Sequence, residues 1–185
     1  MEQSTELNEI EIREILAKFD IHNISSFELL SGGSENTNYL VKSENSKYVL
    51  CIFEQKTEKN AKELAHLLKH LEINNFNTSK LIYTSDSESV IIWNNKPIII
   101  KTFIEGKIRK DFPPHLLKLI GKELAKLHQI NVPEYLPKQL NYGKEQFSNL
   151  RKYSANSEFD IWLKNIIKYI SPYLKLNLPK SIIHS

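Results

Sequence analysis

Gly32-Gly33-Ser34-Glu35-Asn36-Thr37-Asn38 is the stretch whose residue types are best suited to chemistry. Apolar residues alternate on both sides, Phe27 and Leu29 before it and Tyr39 and Val41 after it, so it reads as strand, turn, strand. Glycine allows positive φ and leaves backbone N–H groups uncovered. Ser34, Asn36, Thr37 and Asn38 add hydroxyl and amide donors at the same place. A hairpin of this kind can lie over a phosphate chain and hold it with N–H donors. Taken alone, the composition also fits a solvated turn.

Other reactive side chains are sparse. His66 and His70 are four apart, which could set two imidazoles on one helical face, but no third metal ligand accompanies them, and solvated histidines are the simpler reading. The single cysteine, Cys51, excludes an intramolecular disulfide and a cysteine-rich metal site. It reads as a buried small hydrophobe and fits a reducing, cytoplasmic setting.

The positioning elements follow from the pattern. The 185 residues are 41% hydrophobic and 25% charged, enough for a real core in one domain or two small lobes. A net charge of +3, with dispersed lysines, gives no argument for a nucleic-acid partner. The acidic start does not read as a signal peptide, and no apolar run approaches the ~20 residues that span a bilayer, so no membrane partner is expected. Residues 5–19 are expected to form a helix capped by Thr5. Lys47 to Phe53 is expected as a strand covered on both sides, with Tyr48, Leu50 and Ile52 on one face and Val49, Cys51 and Phe53 on the other. Thr57 caps a helix running to Ile73, with Leu64, Leu67, Leu68 and Leu71 as its stripe. Strands follow at 81–84, 90–93 and 98–103, with a turn at Asn94-Asn95. The first half is thus an antiparallel sheet of five or six strands with one helix inserted after the third. Beyond Gly106 the pattern turns helical. Asp111 is expected to cap a helix with Pro113 and Pro114 in its first turn. A loop covers 131–147, and a helix runs from Ser157 to Ile170.

Four stretches, in this order and spacing, resemble the aminoglycoside phosphotransferase and choline kinase superfamily, which is protein-kinase-like. They are Gly33-Ser34-Glu35-Asn36-Thr37-Asn38-Tyr39, Tyr48-Val49-Leu50-Cys51-Ile52-Phe53-Glu54, Thr102-Phe103-Ile104-Glu105-Gly106, and Ile120-Gly121-Lys122-Glu123-Leu124-Ala125-Lys126-Leu127-His128. The Glu-Asn-Thr-Asn-Tyr and Leu-Cys-Ile-Phe-Glu stretches are most similar to the homoserine kinase branch. The resemblance implies an α+β fold with a nucleotide-binding lobe over 1–105 and an incomplete helical lobe over 106–185. It implies ATP-dependent phosphorylation of a small-molecule hydroxyl, with ATP and Mg²⁺ as cofactors and L-homoserine, in threonine biosynthesis, as the expected substrate. Choline, an aminoglycoside or methylthioribose are alternatives. Gly32, Gly33, Ser34, Asn36 and Asn38 would cover the phosphates. Val49 would face the adenine, and Phe103, Ile104 and Glu105 would form the hinge against its edge. His128 would be a packed core histidine at the end of a buried helix.

The sequence departs from the family pattern in two places. Kinases set a base on strand three to hold the phosphates, and here Cys51 stands there. Lys42, Lys56 and Lys101 are candidates for the missing cation. The helical partner position that carries glutamate in kinases is His66. Ile182-Ile183-His184-Ser185 is similar to the start of the catalytic loop, whose aspartate base and metal-binding residues would follow Ser185. The resemblance therefore places no catalytic or metal-ligating residue within the chain, and this stretch alone is expected to be inactive. A non-catalytic nucleotide- or partner-binding remnant, or an α+β domain with no nucleotide site, is the reading from another class.

Overall fold

The computed structural model describes residues 5–31, 36–107, 109–136 and 157–173. The elements are α1 (Glu9–Ala17), β1 (Ile24–Leu29), β2 (Asn36–Ser43), β3 (Lys47–Phe53), α2 (Glu58–Ile73), β4 (Leu81–Ile82), β5 (Ile91–Trp93), β6 (Lys96–Thr102), α3 (Pro114–Gln129) and α4 (Ser157–Ile170). The strands make one antiparallel sheet in the order β1-β2-β3-β6-β4, and β5 pairs the first half of β6. This is the expected α+β plan, with α2 inserted after the third strand. In the second half of the sheet β4 and β5 are shorter than their apolar runs suggest, and β6 is shifted towards the N-terminus. β4 is two residues, and β6 begins at Lys96 and ends at Thr102.

Local chemistry sets the turns. Ser43 N donates to Ser46 O at 2.9 Å and closes the β2–β3 hairpin. Trp93 pairs with Lys96 across a two-residue loop in which Asn94 and Asn95 have φ of 47° and 63°. Two successive positive φ values match the right-handed twist of the flanking strands, and asparagine tolerates them.

β3 is covered on both faces, as its double apolar pattern predicts. On one face Tyr39, Val41, Leu50, Ile52, Ile98 and Ile100 pack against Ile12, Ile15, Leu16 and Phe19 of the α1 region. On the other, Cys51, Phe53, Leu81, Val90 and Ile99 pack against Ala61 and Ala65 of α2, with Leu64 and Leu68 beside them. The two alanines are fully buried against the sheet, while Leu64 and Leu68 of the leucine stripe are only part-buried. Small side chains let the helix axis come near the β3–β6 ladder, and the leucines fill the flanks.

Two helix starts differ from expectation. Thr5 does not cap α1. Asn8 does, through a capping box in which its Oδ1 accepts from Glu11 N and the Glu11 carboxylate accepts from Asn8 N, both at 3.0 Å. Thr5 is held three residues earlier by the sheet. Asp111 does not cap α3 either. The helix begins at Pro114 after Pro113, with no side-chain cap, because the fixed φ of proline and its missing N–H suit a first turn. Thr57 caps α2 as predicted.

α3 buries Leu127 against Leu71 of α2, with Leu67, Phe76, Ile130 and Leu136 around them. His128, expected in the core, is exposed. It is the residue next to Leu127, and one helical step of about 100° turns it off the packed side. Leu117, Ile120 and Leu124 are exposed as well. In α4 the buried residue is Leu163, while Ile161 and Trp162 are exposed. The predicted loop is described as far as residue 136.

Candidate functional site

Alternation along the ladder sorts the site residues. Asn38 pairs with Cys51, and Cys51 with Ile99. Leu40 pairs with Val49, and Val49 with Lys101. Asn36 pairs with Phe53. Paired residues share a face. Asn36, Asn38, Val49, Cys51 and Lys101 therefore stand together on the α2 face, and the chain leaves that face through Phe103, Ile104 and Glu105. Sequence spacing alone could place Asn36, Asn38 and Val49 on strands, but only the register brings them to one surface. Gly32, Gly33, Ser34 and His184 lie outside the described residues.

The oxygen of the Asn36 side chain is shielded from water and has no hydrogen-bond partner among the described residues. A shielded carbonyl oxygen without a donor is costly. At the first residue of β2, it is suited to accept from a hydroxyl, an amine or water.

The hinge segment is fastened to the first residue of β3. Phe103 N donates to Lys47 O at 2.9 Å. The Lys47 ammonium pairs with the Glu105 carboxylate and lies 6.0 Å from the centre of the Phe103 ring. The Phe103 amide is thus spent within the ladder. The amides of Ile104 and Glu105 have no backbone acceptor among the described residues. Of the predicted hinge groups, these two amides are the donors open to a ligand edge.

Cys51 is buried, and burial pushes its thiol up to about 11, with the charges of Lys101 and then Lys56 pulling the other way. A thiol so placed stays protonated and behaves as a small apolar side chain. Of the three candidate cations, Lys42 is engaged by Glu28 at 3.2 Å. Lys56 lies 5.7 Å from the centre of the Phe53 ring, just past β3. Lys101 is half-buried on β6.

His66 and His70 serve a different end from metal binding. The His66 ring meets Tyr135 edge-on at 5.8 Å, and His70 Nε2 lies 2.8 Å from Asn131 O. Both tie α2 to the segment that follows α3. Among the described residues no group of three or more histidine, cysteine, aspartate or glutamate side chains could hold a metal ion. These residues do not fit a divalent cation, and no step is assigned to one. An open depression of about 400 Å³ runs along the start of α2, lined by Glu58, Lys59, Lys62, Glu63 and His66, and no predicted nucleotide contact lines it.

Sequence reasoning missed one polar cluster, on the opposite face. Glu54 accepts from Thr5 N at 2.9 Å and Thr5 Oγ1 at 3.0 Å, and also from Thr37 and Lys96. Tyr39 adds a donor to Thr5 O at 3.0 Å. These partners are far apart in sequence, so no local motif announces them.

A family model described as the phosphotransferase enzyme family, APH, matches residues 26–185. The homoserine kinase of Brucella anthropi is 28% identical over 128 residues, which is 67% of this chain and 38% of that protein. The homoserine kinase of Paramagnetospirillum magneticum is 23% identical over 190 residues, covering 98% of this chain and 58% of that protein. The chain thus spans well under two thirds of the length of these curated relatives. The solved amicoumacin kinase hAmiN, in complex with AMP-PNP, Ca²⁺ and Ami, shares the fold at a TM-score of 0.67 and 15% identity, over 94% of this chain and 55% of that one. Among the described residues no helix is long and apolar enough to cross a membrane.

Proposed function

The chain belongs to the phosphotransferase enzyme family, and from that premise we propose that it supplies the nucleotide-binding lobe of an ATP-dependent small-molecule kinase acting on L-homoserine. The carrying observation is the α2 face of the sheet, where Asn36, Asn38 and Val49 share one surface that runs directly into Phe103–Glu105. In this reading residues up to about 105 form the lobe that holds the nucleotide, with the helical part beyond. Val49 provides an apolar wall for the base. The amides of Ile104 and Glu105 face its edge, and the side-chain N–H groups of the two asparagines meet the phosphates, the role the sequence also assigns to Gly32 and Gly33. Phosphoryl transfer depends on holding the nucleotide and the acceptor hydroxyl in line, so the contribution of these residues is positioning and the exclusion of water. Similarity to the two homoserine kinases supports homoserine as the acceptor.

The test is a coupled assay of the intact protein with ATP, comparing homoserine with choline, ethanolamine and an aminoglycoside. Phosphorylation of homoserine well above the others is expected. A preference for another hydroxyl would replace the substrate and keep the reaction. Cys51 at the strand-three position favours a second reading, a nucleotide-binding module without catalysis. Nucleotide binding with no transfer to any acceptor would select it.

A further inference from the structure

Four lysines lie on the strands of the sheet: Lys42, Lys47, Lys96 and Lys101. Three meet a carboxylate. Lys42 pairs with Glu28, Lys47 with Glu105 and Lys96 with Glu54. Lys101 has no carboxylate within ion-pair distance among the described residues, yet it is half-buried. Its neighbours across the ladder are Val49 on β3 and Leu81 on β4, both buried and apolar. A strand lysine that no carboxylate engages has its charge available to an incoming anion.

Position adds to the argument. Lys101 is one ladder step from Cys51 on the same face, since Cys51 pairs with Ile99 and Val49 with Lys101. Diagonal neighbours across a ladder are about 7–8 Å apart, a gap that a flexible four-carbon stem can cross. The charge of Lys101 is felt at the Cys51 sulfur more strongly than any other lysine's. The register thus puts Lys101 within reach of the spot where a base on β3 would stand. Asn38, the partner of Cys51 on β2, completes the polar side of that spot.

We propose that Lys101, reaching from β6 across the α2 face, is the cation that meets the nucleotide's phosphates in place of the base absent at Cys51. This rests on the nucleotide-site reading above and deepens it. The ligand class is a nucleoside di- or triphosphate, and the discriminating feature is its charge, since adenosine carries the same base and ribose without it.

The experiment is titration of the intact protein with adenosine, ADP and ATP in the absence of divalent cation, for wild type, Lys101→Met and Lys101→Arg. Lys101→Met keeps an unbranched stem and removes the charge. It is expected to weaken ADP and ATP by about tenfold or more while adenosine stays within about twofold. Lys101→Arg is expected to keep most of the preference for ADP over adenosine. Added salt should weaken ADP binding to wild type and have little effect on Lys101→Met. Thermal unfolding of Lys101→Met, expected at or above the wild-type midpoint, separates lost binding from lost fold. Equal ADP affinity in wild type and Lys101→Met would overturn the assignment and leave the nucleotide site standing. Parallel loss of adenosine and ADP in Lys101→Met would overturn it too, because the residue would then be supporting the site as a whole. Failure of wild type to bind adenosine, ADP or ATP would overturn the nucleotide site and the assignment together.

Discussion

Glu54 and Lys96 meet as an ion pair between the end of β3 and the first residue of β6, with the Glu54 side chain only 11% exposed. Burial would raise the Glu54 pKa, but hydrogen bonds from Lys96, Thr37 and Thr5 outweigh it and hold the carboxyl down at about 2, against an ordinary 4.5. The folded pKa is the lower one, so acid protonates the unfolded chain first. The stabilisation is full above pH 4.5 and is lost as pH falls towards 2. Glu54→Gln is expected to cost about 1–2 kcal/mol near neutral pH, discounted for the part-exposed Lys96. Urea unfolding of both proteins down a pH series checks this: the gap should narrow in acid, and a gap independent of pH would refute the charge assignment.

Asn8→Ala removes the side-chain half of the α1 capping box, the acceptor for Glu11 N, leaves the backbone N–H that donates to the Glu11 carboxylate, and should cost about 1 kcal/mol. Thr5→Ala should also destabilise, but through Glu54, so its cost should shrink in the Glu54→Gln background. A double-mutant cycle read by chemical unfolding distinguishes the two effects. Strict additivity of Thr5→Ala and Glu54→Gln would deny their contact.

Leu50 is fully buried in the centre of β3, facing α1. Leu50→Ala should cost about 3 kcal/mol in transfer and cavity terms. Leu117→Ala, on the exposed side of α3, should cost under about 0.5 kcal/mol. Comparable losses at the two positions would mean that the α3 face is covered in solution.

The Cys51 thiol should resist alkylation in the folded protein near pH 8 and react at an ordinary free-thiol rate in strong denaturant. Mass spectrometry after timed iodoacetamide exposure reads the difference. Rapid labelling of the native protein would show that the packing of β3 against α2 opens readily.

The strands, the α2 cap and the two-faced β3 were legible because each depends on residues close in sequence. Alternation marks a strand within its own length, and Thr57 lies next to the helix it caps. The start of α1 was legible in principle: Asn8 has Glu11 three residues on, whereas Thr5 has Asn8 there and lacks the acid that closes a capping box. The Glu54 cluster was not legible, because Thr5, Thr37 and Lys96 reach it from three separate segments. The exposure of His128 was missed because a helical stripe fixes which side packs only once the partner surface is known. The standing of Lys101 emerged only from the register, since its isolation is a statement about where the carboxylates of other strands went.

The insertion of α2 also sets the order in which the sheet can be made. β3 meets β2 through a three-residue turn, but its other edge waits for β6, which leaves the ribosome only after α2, β4 and β5. At ordinary synthesis rates that wait is roughly a few seconds. Throughout it, Val49 to Phe53 present an apolar strand with one side of unmet N–H and C=O groups, the kind of edge on which other chains template. Loop-closure entropy is met late as well, since the β3–β6 ladder spans the longest separation in the sheet. The nascent chain is therefore most vulnerable to aggregation between the synthesis of Phe53 and that of Thr102. Substitutions at Ile98 to Ile100 should lower soluble yield by more than their cost to the finished fold accounts for.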